Sequence, residues 1–356
     1  MEFSPKSKQH IDSCRFCWMC HHICPIGNAT GLERNTARAR ALGLSLVARG
    51  AIDYSDDIIS NVYECALCGA CVADCTTGWD PVMFTKEARL KAALEGHLPK
   101  YIMDMVMNVT DKGNAFGEVD KSKIPEFPKS DTLLFVGEVT RAKGCAKNAV
   151  ELLQRAGVDF TVLKDEPNSG YSMDFMLGAS AETKAVMEKC AKVLSDYKTV
   201  ICYDPSDAKV MLREYKEWGI ELKPDVVTFT AFVAGLIKDG KLKVNKTDLV
   251  FTPQDSAFLA RDLEETQPVR DILSACGNVR EMLLNRKETV LAGNSIMHEY
   301  MGDVMKKVAK NRWINAKNMD AKILVTECPA EYMGLMEVKP DDIELMTIEE
   351  AVLKCL

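Results

Sequence analysis

The sequence contains no run of 18 apolar residues, so no helix of it is expected to span a membrane. Its opening, MEFSPKSKQHIDSC, holds no apolar stretch, and no secretory leader is expected from it. There is no basic excess. Lysine and arginine number 45 against 52 aspartates and glutamates, a net charge of −7, which is the wrong sign for a general nucleic-acid binder. G-x-G-x-x-G, G-x-x-x-x-G-K-[ST] and H-E-x-x-H are all missing, so no dinucleotide, P-loop or zinc-protease site is legible. Histidine is scarce, at five residues, and His298 stands alone in the C-terminal two thirds, where it reads as structural. "KDGKLKVNK" (238–246) is basic but reads as a solvated loop. These absences predict a cytoplasmic protein that meets a membrane only through a partner.

Cysteine is plentiful, with fourteen in 356 residues. Hydrophobic residues at 47% and charged residues at 27% are ordinary globular proportions, and the length allows two or three domains with their own cores. Six cysteines are scattered (Cys145, Cys190, Cys202, Cys276, Cys328, Cys355) and read as small buried apolar residues. The other eight form two groups, Cys14, Cys17, Cys20, Cys24 and Cys65, Cys68, Cys71, Cys75. In a reducing compartment, clustered thiols are metal ligands more often than disulfides.

Both groups read C-x2-C-x2-C-x3-C, the spacing of the bacterial two-cluster ferredoxins. Two residues between cysteines let a tight loop wrap three corners of a cubane, and the fourth cysteine ligates the neighbouring cluster. The expectation is therefore two [4Fe-4S] clusters. Cys14, Cys17, Cys20 and Cys75 hold the first; Cys65, Cys68, Cys71 and Cys24 hold the second. Pro25 is expected to end the first loop, while Thr76 leaves the second copy without its proline. "CWMCH" (17–21) also fits a c-type haem string, but that chemistry needs export. Zinc would use two well-separated pairs. His21 and His22 are then bystanders.

The segment between the groups, "GLERNTARARALGLSLVARG" (31–50), reads as helix, as do "YSDDIISNVYECALC" (54–68) and "DPVMFTKEARLKAALEG" (80–96), the last with Pro81 near its start and Gly96 past its end. Arg34, Arg38, Arg40 and Arg49 fall in the first of these, and cations near an anionic cluster favour its reduced form. Phe16, Trp18 and Trp79 are expected to shield the clusters from water. A polar, proline-containing linker ends this helical domain near residue 128.

Beyond it, strands and helices alternate, which predicts parallel sheets covered by helices. Strands are expected at 132–139, 159–163, 199–203, 226–229, 247–254, 289–293 and 321–329. Helices are expected at 145–157, 180–197, 207–219, 231–240, 255–264, 268–276 and 295–310. The fold expected is multidomain: an α-helical two-cluster ferredoxin domain with linker (1–128), then two α/β lobes (129–243 and 244–356). Both lobes begin with a strand, a turn and a charge-rich helix, a weak internal similarity.

This layout resembles the iron–sulfur subunits of glycolate oxidase, anaerobic glycerol-3-phosphate dehydrogenase and heterodisulfide reductase. In the first hundred residues the resemblance rests on both cysteine runs and on "ARAR" (37–40), which is similar to a family "PRGR". Over 130–356 it rests on "LLFVGEV…AVELLQRAGVDFTVL" and "DSAFLAR" (255–261), and it implies two cysteine-rich CCG domains. The family's cysteines are missing, however. Glu138, Asn168-Ser169-Gly170, Ala257 and "LAG" (291–293) occupy their places, and Cys328 alone survives. Ala, Leu and Asn cannot supply the iron–thiolate bonds of a further cluster, so the lobes are expected to be degenerate CCG domains serving as a docking scaffold.

The function this implies is electron transfer: single electrons relayed through two clusters between a flavoprotein dehydrogenase, which carries FAD or FMN, and an acceptor. The acceptor class is a ferredoxin, a flavoprotein or a quinone-linked protein. No catalytic residue is assigned. The competing readings are a heterodisulfide-reductase-like catalyst using Cys328 in the α/β cleft, and an assembly or sensor protein.

Overall fold

The computed structural model describes residues 2–14, 17–143 and 146–356. Phe16 and Cys145, singled out above, lie outside the described residues. The N-terminal part is helical, running from Pro5–Ser13 to Lys100–Lys112. Pro81 is the first residue of Pro81–Leu94 and Gly96 lies just past its end, as expected. Thr36 caps Ala37–Ala48 by accepting from the Ala39 amide, and Asp80 caps Pro81–Leu94 by accepting from Met83. The helix expected over 54–68 is confined to Asp56–Tyr63, which leaves Cys65 and Cys68 on a loop.

Seven strands follow in two wholly parallel sheets. β1 (Thr132–Phe135), β2 (Thr199–Cys202) and β3 (Asp225–Thr228) form the first, in the order β1-β2-β3. β4 (Val250–Gln254), β5 (Asn278–Val279), β6 (Ile323–Thr326) and β7 (Glu344–Thr347) form the second, in the order β5-β4-β6-β7. A lone parallel bridge sets Thr161 beside Leu133 on the free edge of β1. Counting that bridge as a vestigial strand, both sheets run second-first-third-fourth, so the weak sequence similarity between the lobes has a topological counterpart.

Several strand expectations change. The strand at 159–163 shrinks to the Thr161 bridge. The strand at 132–139 stops at Phe135, because Gly137 (φ 89°) turns the chain into a helix, Glu138–Lys143. No strand forms over 289–293. Its backbone groups are taken by side chains instead: the Thr289 carbonyl accepts from Arg261 (2.7 Å), the Val290 carbonyl from Gln254 (3.1 Å), and the Ala292 amide donates to Glu331 (3.1 Å). The helix at 255–264 is one wide turn, Phe258–Asp262. That at 295–310 runs on to Asn318 with a kink at Met301.

One apolar core spans both sheets. Leu134, Ile201 and Val233 meet Phe251, Ile272 and Val325 in it. A second core ties the lobes to the helical part, joining Tyr63, Ile102 and Ile26 to Phe175, Met176 and Met297. The linker is anchored as well: Asn114 donates to the Glu138 carbonyl (2.9 Å), and the Ala115 amide to the Glu138 carboxylate (3.1 Å).

Candidate metal centres

From the second cysteine of each motif to the helix that follows it, the two backbones turn alike. In each, the residue after the second cysteine is left-handed, Trp18 at φ 71°, ψ 0° and Gly69 at φ 70°, ψ 1°, and a short helix follows at once. Met19–Ile23 carries Cys20 and ends at Cys24; Ala70–Ala73 carries Cys71 and leads to Cys75. Pro25 does more than end a loop. It is the first residue of helix Pro25–Thr30, whose N-cap is Cys24, with the Gly27 amide 3.5 Å from the sulfur. Thr76 starts no helix, and the chain turns so that the Thr77 hydroxyl lies 3.3 Å from the Cys75 sulfur.

Each short helix delivers one cysteine to each of two cavities. Cys14, Cys17, Cys20 and Cys75 line the first, together with Trp18, Arg38, Thr77 and Trp79. Cys24, Cys65, Cys68 and Cys71 line the second, together with Ile26, Arg40, Gly69 and Val82. Among the described residues, no three Cys, His, Asp or Glu side chains converge on a point that could hold a single metal ion. A tetrahedral zinc site would require that convergence. Four thiols lining one site, with amides aimed at sulfurs such as those of Cys24 and Cys65, fit a polynuclear cluster instead.

The walls differ in their exposure. Cys20 and Cys24 are buried, and Cys17 is exposed at the rim of the first cavity beside Trp18 and Met19. Burial, reinforced by the Cys14 thiol, pushes Cys20 up to about 11. Burial does the same to Cys68, also to about 11, against the pull of Arg261. Cys75 goes the other way: hydrogen bonds from Thr77 and Trp79 outweigh its partial burial and lower it.

Trp79 is buried against Phe84, with ring centroids 5.8 Å apart, and Trp18 is half-exposed with the Arg38 guanidinium 3.6 Å above its ring. A left-handed tryptophan costs about 1–2 kcal/mol that a glycine avoids, and its cation–π contact returns about 0.5–1 kcal/mol. Trp18→Gly is therefore expected to leave urea stability within about 1 kcal/mol of wild type. It should shorten the lifetime in air of any metal group in the first cavity, read from the decay of visible absorbance.

The remaining expected residues sort plainly. Arg38 and Arg40 line the cavities. Arg34 pairs with Asp57 (3.0 Å) and Glu64 (3.1 Å), and Arg49 with Asp12 (2.8 Å), so both are tied to surface carboxylates instead. His21 pairs with Glu33 (3.2 Å), His22 is exposed, and neither lines a cavity. His298 pairs with Glu337 on the surface (2.8 Å). Cys190, Cys202, Cys276, Cys328 and Cys355 are buried free thiols. Glu138, Asn168, Ser169, Ala257, Leu291 and Ala292 are all buried too.

Two residues were missed by the sequence reading. Arg89 lies on the buried face of Pro81–Leu94 with Phe84, Thr85, Ala88 and Ala92, and is itself fully buried. A lone arginine in an apolar stripe was the available signal. Arg261, within "DSAFLAR", reaches from the second lobe to the Cys68 carbonyl (2.7 Å), and no local pattern marked it. Beside it a groove of about 1170 Å³ opens where the helical part meets both lobes, with Leu67, Gly69, Ala70 and Val72 of the second cysteine loop in its wall. Among the described residues, no helix is long and apolar enough to cross a membrane.

Residues 10–79 match the family model described as a 4Fe-4S dicluster domain. Over 342 residues the chain is 21% identical to an uncharacterized iron–sulfur protein of Methanococcus maripaludis, a match covering 92% of this chain and 68% of that one. Among solved structures, glutamate racemase isoform RacE1 from Bacillus anthracis aligns at a TM-score of 0.30 and 12% identity, over 62% of this chain and 77% of that one. The cysteine cavities and the matched region together make this chain an iron–sulfur protein with a 4Fe-4S, ferredoxin-type domain at its N-terminus.

Proposed function

We propose that the protein is an electron-transfer subunit with two [4Fe-4S] clusters, one held by Cys14, Cys17, Cys20 and Cys75 and the other by Cys24, Cys65, Cys68 and Cys71. The carrying observation is that the helices Met19–Ile23 and Ala70–Ala73 each serve both cavities. Four residues of helix rise only about 6 Å, so the two sites are neighbours and form a relay. When bound, such clusters take up and release single electrons without making or breaking covalent bonds.

The chain's own side chains supply the rest. Trp79 and Phe84 close the inner side of the first site, while Cys17, Trp18 and Met19 leave its rim open to a partner. The second site backs onto the large groove through Gly69, Ala70 and Val82. The partner favoured is a flavoprotein dehydrogenase carrying FAD or FMN, because flavin splits a two-electron oxidation into steps that clusters accept. A ferredoxin, a second flavoprotein or a quinone-linked protein is the onward acceptor. The α/β lobes act as degenerate CCG scaffolds in a cytoplasmic complex that touches a membrane only through its partner. Cys328 is a poor catalyst, since burial holds its thiol well above the usual range and so protonated.

Anaerobically purified protein should contain about eight irons and about eight labile sulfides, and a one-electron donor should reduce it reversibly. An iron content near four or below, or clusters that no donor reduces, would defeat this reading.

A further inference from the structure

Three guanidinium groups converge on the second cysteine quartet from three separate segments. Arg40, buried on Ala37–Ala48, lines the cavity and donates to the carbonyls of Asn61 (3.0 Å) and Asn35 (3.3 Å). Arg89 donates to the carbonyls of Cys65 (2.6 Å), Val62 (3.1 Å) and Phe175 (2.6 Å), and lies over the rings of Tyr63 and Phe175. Arg261 donates to the carbonyls of Cys68 (2.7 Å), Thr289 (2.7 Å) and Lys287 (3.2 Å). Among the described residues, none of the three makes an ion pair with a carboxylate. Nε of Arg89 and Nη2 of Arg261 are buried without any acceptor. A buried cation is costly unless an anion faces it. Arg40 and Arg89 are buried and Arg261 is half-buried, with Glu331 also within its electrostatic reach, and the group all three have in common is the quartet.

The first quartet has a different setting. Arg38, the guanidinium in its wall, is neutralised by Glu33. Asp74 adds negative charge beside Cys75, and Cys17 opens to solvent.

We infer that Arg40, Arg89 and Arg261 hold the cluster of the Cys24, Cys65, Cys68 and Cys71 quartet at a higher reduction potential than its neighbour, so that the first electron given to the protein rests beside the groove. The inference depends on the two-cluster reading above. The step is a one-electron reduction: the donor, dithionite in the test below, loses one electron, the cluster core goes from 2+ to 1+, and no bond or proton moves. With four thiolates the site's charge goes from −2 to −3, which nearby cations favour. Burial of the second quartet works the other way, because it strips water from a group that gains charge. Each guanidinium is worth roughly tenfold in the equilibrium at an effective dielectric near 20. Burial would have to exceed about a thousandfold to reverse the order.

The test is a potentiometric titration of the holo-protein followed by electron paramagnetic resonance. Cys17→Ser and Cys68→Ser identify which signal belongs to which quartet. The signal perturbed by Cys68→Ser is expected to appear first on reduction. Arg261→Gln, which deletes a charge and keeps a donor, should make that reduction about tenfold less favourable, about 59 mV for a one-electron couple. It should leave the other signal in place, and Arg261→Lys should restore most of the loss. If Arg261→Gln loses iron, Arg40→Gln provides the same reading. The inference is overturned if the Cys17-linked signal appears first, or if a charge-deleting variant with full iron moves both signals or neither. An iron content near four or below in the wild type removes the two-cluster reading and the inference with it, whereas full iron with unmoved potentials removes only the inference.

Discussion

A Cys24→Ala variant is expected to lose about four of about eight irons, and the signal it loses is the one lost on replacing Cys65, Cys68 or Cys71. By sequence Cys24 belongs with Cys14, Cys17 and Cys20. In the fold its sulfur lines the other cavity, because Met19–Ile23 sets Cys20 at one cavity and Cys24 at the next. Cys75→Ala should likewise behave as a member of the Cys14 group. The exposed Cys17 gives the cleanest comparison, since its removal leaves no buried gap. Iron analysis and paramagnetic resonance on Cys17→Ala, Cys24→Ala and Cys75→Ala decide the matter. If Cys24→Ala abolishes the signal that Cys17→Ala abolishes, each motif serves its own cluster and the crossed pairing is wrong. The expected loss is large because a missing thiolate leaves an iron corner open and the buried space around Cys24 offers little water to replace it.

What the sequence revealed follows how local its causes are. The eight cysteines were legible because their spacing is set by a short loop, and the two loops repeat it. The ends of Pro81–Leu94 were legible at Pro81, its first residue, and at Gly96 just past it. β1 was read too long because the turn at Gly137 depends on its setting: Asp207 Oδ2 sits where a Cβ would be, and Glu166 accepts both the Val136 and Gly137 amides (2.7 and 2.8 Å). Those partners lie about thirty and seventy residues away in sequence. The segment 289–293 has the composition of a strand, yet Arg261, Gln254 and Glu331 take its backbone groups. Arg89 and Arg261 were missed for the same reason. An arginine that binds carbonyls of a distant loop carries no local signature, and only the fold shows that the loop is the one holding Cys65 and Cys68.

The protein is expected to melt at a clearly lower temperature at pH 8 than at pH 6. At the lobes Glu331 and Glu349 are buried and Glu166 is half-buried, and desolvation lifts each from 4.5 to about 7. A carboxyl whose folded value is raised binds its proton more tightly folded than unfolded. Its contribution is complete below about pH 4.5 and is lost as pH rises through about 7. Each is worth at most about 3 kcal/mol. Glu214 opposes this at the acid end: despite its burial, Lys209 and Lys86 hold it down at about 2, so its contribution is lost only as pH falls from 4.5 toward that value. The stability maximum therefore lies between the two windows, on the acid side of neutrality. Glu138 follows the same direction. Burial raises it, and its Oε1 has no hydrogen-bond partner. Asp204 precedes Pro205 as Cys328 precedes Pro329, each at the end of a central strand, and burial raises it too. Anaerobic thermal melts of the cluster-loaded protein by circular dichroism at the two pH values test this. Glu349→Gln, which keeps the oxygen that accepts from the Tyr203 hydroxyl and cannot ionise, should flatten the slope measurably. A melting temperature at pH 8 equal to or above that at pH 6 would show that these carboxyls are ionised in the fold and that their hydrogen bonds outweigh burial.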